Sequence, residues 1–201
     1  MELSPGTFDV PPGMIATVVT YLEMQAPPTP RPVPDQPDLM LVKAEHPMTA
    51  WYRDLFSSVG ADWLWFSRLD MDDRSLAAVL GSRNTWIYSV KDGKRDLGLL
   101  ELDFSVPGEC ELAFFGLAKP LIGTGAGRWL MAQALGIAWD QPISRFHVHT
   151  CTLDSPAALS FYMRSGFKPV RQAIEIAPDP RLNGQIAPCA APQIPLFGTP
   201  V

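Results

Sequence analysis

The stretch AFFGLAKPLIGTGAGRWLMAQAL, residues Ala113–Leu135, decides the fold. Apolar residues up to Leu117 read as a strand. Glycines then alternate at Gly123, Gly125 and Gly127, and a long helix follows. Over GAGRWLMAQALGIAWD, residues Leu130, Met131, Ala134 and Ala138 recur on one helical face, which Trp129 and Ile137 broaden. A helix start preceded by glycines carries unpaired N–H groups and the positive end of the helix dipole, so it suits phosphate. The same glycines also suit a tight turn that holds no ligand. Two common phosphate motifs do not fit. Gly127 is followed by Arg128 and Trp129, not by Lys-Ser/Thr, and the third residue after Gly125 is Arg128 where a dinucleotide fingerprint needs glycine.

Working outward, ATVVTYLEM (Ala16 to Met24) is a β-branched strand, and DLMLVKA a second, shorter one. TAWYRDLFSSVG and DDRSLAAVLGS read as helices, the second capped by Asp72 or Asp73. Three strands follow, TWIYSVKDG, DLGLLELDFS and ECELAFFGL, with KDGK fitting a hairpin turn. After the long helix come the strand RFHVHTC, the helix SPAALSFYMRS and the strand FKPVRQAIEIA. Antiparallel strands followed by strand–helix–strand–helix–strand predict a mixed α+β layer fold.

Proline is concentrated in APPTPRPVPDQPD (Ala26 to Asp38), a linker or wrapping arm, and again after Pro178. That tail keeps Ile186, Ile194, Leu196 and Phe197, which suggests that it lies against the body or a neighbouring subunit. Three units result: a strand and arm over 1–38, a central domain over 39–177, and a tail over 178–201.

A formal net charge of −5, with scattered Lys and Arg, argues against nucleic acid as the main partner. No apolar run reaches the length of a membrane span, and MELSPGTFDV lacks the pattern of a signal peptide. Cys110, Cys151 and Cys189 show no zinc spacing and read as free thiols, so a cytoplasmic protein is expected.

Two segments together carry a family resemblance. I122-G123-T124-G125-A126-G127 is similar to the Q/R-x-x-G-x-G/A turn of the GNAT superfamily of N-acetyltransferases, and Y162-M163-R164-S165-G166-F167 to its later Y-x-x-x-G-F. The resemblance spans about Leu39 to Ile176. WYRDLF, VGADWLW, ELAFFGL and HTCTLDSPAAL look like a bacterial subgroup of that family. It implies a mostly antiparallel central sheet with helices on both faces. That sheet is splayed between the family's fourth and fifth strands, here ECELAFFGL and RFHVHTC.

The resemblance further implies acetyl-CoA as cofactor. Its pantetheine arm would pair with the strand edge at Leu117, Ala118 and Lys119. Its pyrophosphate would rest on main-chain N–H groups around Ile122, Gly123, Thr124, Gly125, Ala126, Gly127 and Arg128. Ile122 stands where the family has Gln or Arg, which leaves the cradle to the main chain. Tyr162 matches the family's general acid for the departing thiolate, though a tyrosine at a core edge is also commonly structural. Glu111 matches the position of the general base, with a pKa that burial would have to raise, or it is a solvent-facing strand carboxylate beside Glu109. His147 and His149 share a strand face, and His149 is a second candidate for proton removal; a metal pair is not favoured. Asp154 stands about where many members have an Asn on the cofactor, and the reading favoured here is a cap for the following helix. Trp51, Tyr52, Trp63, Trp65 and Phe66 border the implied acceptor pocket, most as core and one or two as a cage for a cationic amine.

The implied activity is acetyl transfer to a primary amine, small-molecule or peptide, by direct attack in a ternary complex. An acyl-CoA-binding sensor without turnover is the alternative. A homodimer is a possible assembly.

Overall fold

A computed structural model describes residues 4–198 of the chain. Residues 1–3, which open MELSPGTFDV, and 199–201, which close the proline-rich tail, lie outside the described residues. The strands are β1 (Met14–Met24), β2 (Leu39–Lys43), β3 (Thr85–Asp92), β4 (Arg95–Asp103), β5 (Glu109–Leu117), β6 (Arg145–Cys151) and β7 (Lys168–Pro178). The helices are α1 (Thr49–Gly60), α2 (Asp73–Leu80), α3 (Ala126–Trp139) and α4 (Ala158–Arg164). Asp72 caps α2 by accepting the Ser75 N–H at 2.7 Å. Gly93 supplies the positive φ of the β3–β4 turn.

All seven strands form one sheet in the order β2-β3-β4-β5-β6-β1-β7. Every neighbouring pair is antiparallel except β5–β6, which is parallel over Glu109–Glu111 and Arg145–His147 alone. β4 is buried on both sides. Leu100 and Leu102 pack with α3 and the Tyr162 of α4, while Leu99 packs with Tyr52, Phe56 and Leu76 of α1 and α2. This is the mixed, mostly antiparallel sheet with helices on both faces that the resemblance implies.

β1, grouped with the arm in the sequence reading, lies inside the sheet. It is paired with β6 from Val19 to Met24 and with β7 from Met14 to Glu23. The arm after it crosses the α3/α4 side of the sheet. Pro28 packs on Gly166 and Pro34 on Gly125, and Gln36 Nε2 donates to the Thr124 carbonyl at 3.2 Å. The tail lies against the body. Ile186 and Ala191 are buried with Ile15, Leu64, Leu153 and Ala177, whereas Phe197 is exposed. Buried Arg181 pairs with Asp179 at 2.6 Å and donates to the Ile194 carbonyl at 2.8 Å, which folds the tail on itself.

Candidate active site

Main-chain pairing of β5 with β4 runs from Glu111 to Leu117 with one bulge at Ala113, but on the other side the pairing with β6 stops at Glu111 and His147. From Phe114 to Leu117 the main-chain edge that faces β6 has no strand partner among the described residues. An unpartnered edge accepts an extended amide chain as an added strand would. A cavity of about 500 Å³ occupies this opening. Its walls include Leu117, Ile122, Gly127, Phe161 and Tyr162 on one side, and Trp63, Trp65, Phe66, His149 and Glu175 on the other.

Ala118 and Lys119 are committed internally. The Ala118 N–H donates to Leu97 O at 2.8 Å, and both residues' carbonyls accept from the short 3-10 turn that Lys119 opens. The Lys119 ammonium reaches Asp62 at 2.8 Å, tying this turn to the loop after α1. Free strand edge therefore lies just before these two residues, and of the sequence-predicted three only Leu117 belongs to it.

At the glycine turn the N–H groups alternate in their fate. Those of Ile122, Thr124, Ala126 and Arg128 find acceptors at Lys119 O, Leu121 O, Thr124 Oγ1 and Gly125 O. Those of Gly123, Gly125 and Gly127 have no acceptor among the described residues. Gly123 and Gly125 hold φ of 81° and 93°, where an L side chain is strained. Gln36 fixes the Thr124–Gly125 peptide from outside. Because the unit is trans and planar, holding its carbonyl toward the arm turns the Gly125 N–H the opposite way. These three donors, beside an open strand edge and an apolar slot, fit the diphosphate and pantetheine of coenzyme A.

Glu111 and His149 meet at 3.1 Å, between Oε1 and Nδ1. The hydrogen bond to His149 holds the Glu111 carboxyl below its usual range in spite of burial, so the expected upward shift is reversed. The same bond raises the His149 pKa. An ionised Glu111 accepts from Nδ1–H, which leaves Nε2 as the basic nitrogen of the neutral ring. His149 lines the cavity, and Glu111 stands behind it. Glu109 is engaged elsewhere, with Arg145 at 2.8 Å.

Tyr162, 8% exposed, lines the slot among Phe115, Phe161 and Phe167. Burial, with the Asp154 charge second, pushes its pKa up, so the phenol keeps its proton at neutral pH. Asp154 does not cap α4, whose N-cap is Ala157. Its carboxylate instead accepts from Thr150 Oγ1 at 2.6 Å, Cys151 N at 2.9 Å and Trp65 Nε1 at 3.1 Å. Two donors at the end of β6 and the Trp65 indole outcompete the helix start, and the last bond locks Trp65 into the cavity wall.

Of the early aromatics, Tyr52 is core, Trp51 binds Asp96 at 3.1 Å, and Trp63, Trp65 and Phe66 face the cavity. Sequence reasoning missed Arg68 and Glu101. Glu101, fully buried, accepts from both the Tyr52 hydroxyl and the Arg68 guanidinium, which anchors the loop carrying those aromatics. The signal was one carboxylate amid the apolar run of DLGLLELDFS.

The open parallel pair and the glycine turn at its mouth form the architecture that the resemblance implies. The model of the acetyltransferase (GNAT) family matches residues 45–167, more than half of the chain, and the protein belongs to this family. No curated protein matches its sequence. Among solved structures, it is similar to a conserved protein of unknown function from Staphylococcus epidermidis (TM-score 0.55, 12% identity, 83% of this chain and 63% of that one). A GCN5-related N-acetyltransferase from Sphaerobacter thermophilus gives a TM-score of 0.54 at 12% identity, over 84% of this chain and 52% of that one. An IAA acetyltransferase from Bacillus cereus gives 0.51 at 22% identity, over 66% and 79%. The chain thus spans between half and two thirds of the first two. Likeness at these identities is likeness of fold. Among the described residues, no helix is long and apolar enough to cross a membrane.

Proposed function

We propose that the protein moves an acetyl group from acetyl-CoA to a primary amine, by direct attack in a ternary complex. One observation carries the reading: β5–β6 pairing stops short of a turn where three glycine N–H groups have no acceptor among the described residues, and His149, backed by Glu111, lines the same cavity as the protonated Tyr162. When bound, acetyl-CoA supplies the acetyl group as a thioester. Gly123, Gly125 and Gly127 would hold its diphosphate, and the edge from Phe114 to Leu117 would hold its pantetheine amides. His149 Nε2 takes the proton of the acceptor ammonium, and Glu111 fixes the ring's tautomer and stabilises its charged form. Tyr162 holds a proton ready for the departing sulfur. Trp63, Phe66 and Glu175 favour an amine with an apolar body and one positive charge.

Release of free thiol from acetyl-CoA, measured over a panel of amines, tests the reading. Turnover is expected to fall about 10²-fold or more in His149→Ala, and substantially in Tyr162→Phe, with CoA affinity little changed. CoA binding without thiol release on any amine would make the protein an acyl-CoA sensor. Failure of CoA to raise the melting temperature would remove the cofactor assignment altogether.

A further inference from the structure

The sheet ends in an unusual edge. β7 is eleven residues long, stands last in the sheet, and most of its residues are exposed. Long exposed edge strands template pairing with another chain, and monomeric proteins blunt them with proline, inward charge or a covering segment. Here Pro169, Pro178 and a bulge at Val170 stand toward the ends, so the span from Arg171 to Ile176 keeps every N–H in regular register. Ile174 and Ile176 are 53% and 51% exposed, next to exposed Val18 on β1.

The side-chain order along this span is self-complementary. Antiparallel pairing of β7 with its own copy, centred on Ala173, sets Arg171 opposite the copy's Glu175, and Glu175 opposite its Arg171. On the other face it sets Gln172 against the copy's Ile174, and the irregularity that leaves Val170 without a partner on β1 lies just outside this span. Alternation places Arg171 and Glu175 on one face: Arg171 stacks on Tyr21 at 3.6 Å, and Glu175 lines the cavity. Opposite charges at directly facing positions stabilise a strand pair, and like charges there oppose it. A two-fold axis through Ala173 satisfies both pairs at once, as an isologous contact requires.

We propose that the protein assembles as a homodimer through β7, forming one continuous sheet through both copies and bringing Arg171 of each copy to Glu175 beside the other's cavity. The inference does not rest on acetyl transfer, and in the dimer Glu175 shares its charge between the copy's Arg171 and the cavity. Sedimentation of the full chain over a range of concentrations tests it, with R171E and E175R as variants. Each alone sets like charges opposite each other twice and is expected to sediment as a monomer where the wild type is dimeric. An equimolar mixture of the two restores both opposite-charge pairs and is expected to return to twice the chain mass. Circular dichroism checks that each variant is folded. If either misfolds, the exchanged double variant R171E/E175R decides, because it restores the pairs within one sequence and should dimerise. A monomeric wild type, single variants that stay dimeric, a mixture of folded variants that stays monomeric, or a monomeric double variant would each overturn the proposal.

Discussion

His149 and Glu111 shift one another's titration in opposite directions, and each shift has a measurable consequence. As the base, His149 must be neutral, so turnover should rise with pH through a pKa above its ordinary 6.5. Glu111→Gln removes the bond that raises it, and the acidic limb of kcat/KM should move to lower pH. A limb that stays in place would take His149 out of the titration. Stability follows the same pair. The His149 contribution is complete below about pH 6.5 and is lost as pH rises through its raised pKa. The Glu111 contribution is present above about pH 4.5 and is lost as pH falls through its lowered pKa. Urea unfolding should therefore separate wild type from His149→Ala most clearly between those values. A second residue-scale case is Arg68, whose side chain is 19% exposed against 0% for Glu101. Arg68→Ala strands a buried carboxylate and should cost about 3 kcal/mol in denaturant unfolding.

Among the elements, the glycine turn depends on the arm that crosses it. Gln36→Ala frees the Thr124 carbonyl and with it the direction of the Gly125 N–H. CoA affinity should drop about fivefold, the equivalent of one hydrogen bond, with little change in melting temperature. Titration calorimetry reads this directly, and unchanged affinity would leave the arm a covering only. Gly116 is a second such point: a Cβ there would lie 2.3 Å from Val59 and 2.9 Å from Trp65. Most elements were legible because their periodicity is local, as in α3, where Leu130, Met131, Ala134 and Ala138 are all buried. The open strand pair and the glycine turn were legible through a motif. Hidden from the sequence were contacts between distant segments: Gln36 on Thr124, Trp65 on Asp154, and the Arg68–Glu101–Tyr52 cluster. The cap expected of Asp154 failed for that reason, since a local rule lost to three partners assembled by the fold.

At the scale of the molecule, the tail and the aromatic loop support each other. Gln193 donates to the Asp62 carbonyl at 2.9 Å, and Ile186 is buried against the cluster that holds Leu64. Ending the chain after Pro178 should lower the Tm by about 5–10 °C, from the loss of a few kcal/mol of buried apolar surface. The position of β1 has a different outcome, in time. Its partners β6 and β7 lie more than a hundred residues further along the chain, so while β2 to β5 can pair as successive neighbours, the early strand must wait for the latest ones to emerge from the ribosome. Closing so long a loop is slow, and until it closes a β-branched segment stays exposed to chaperones and to its own kind.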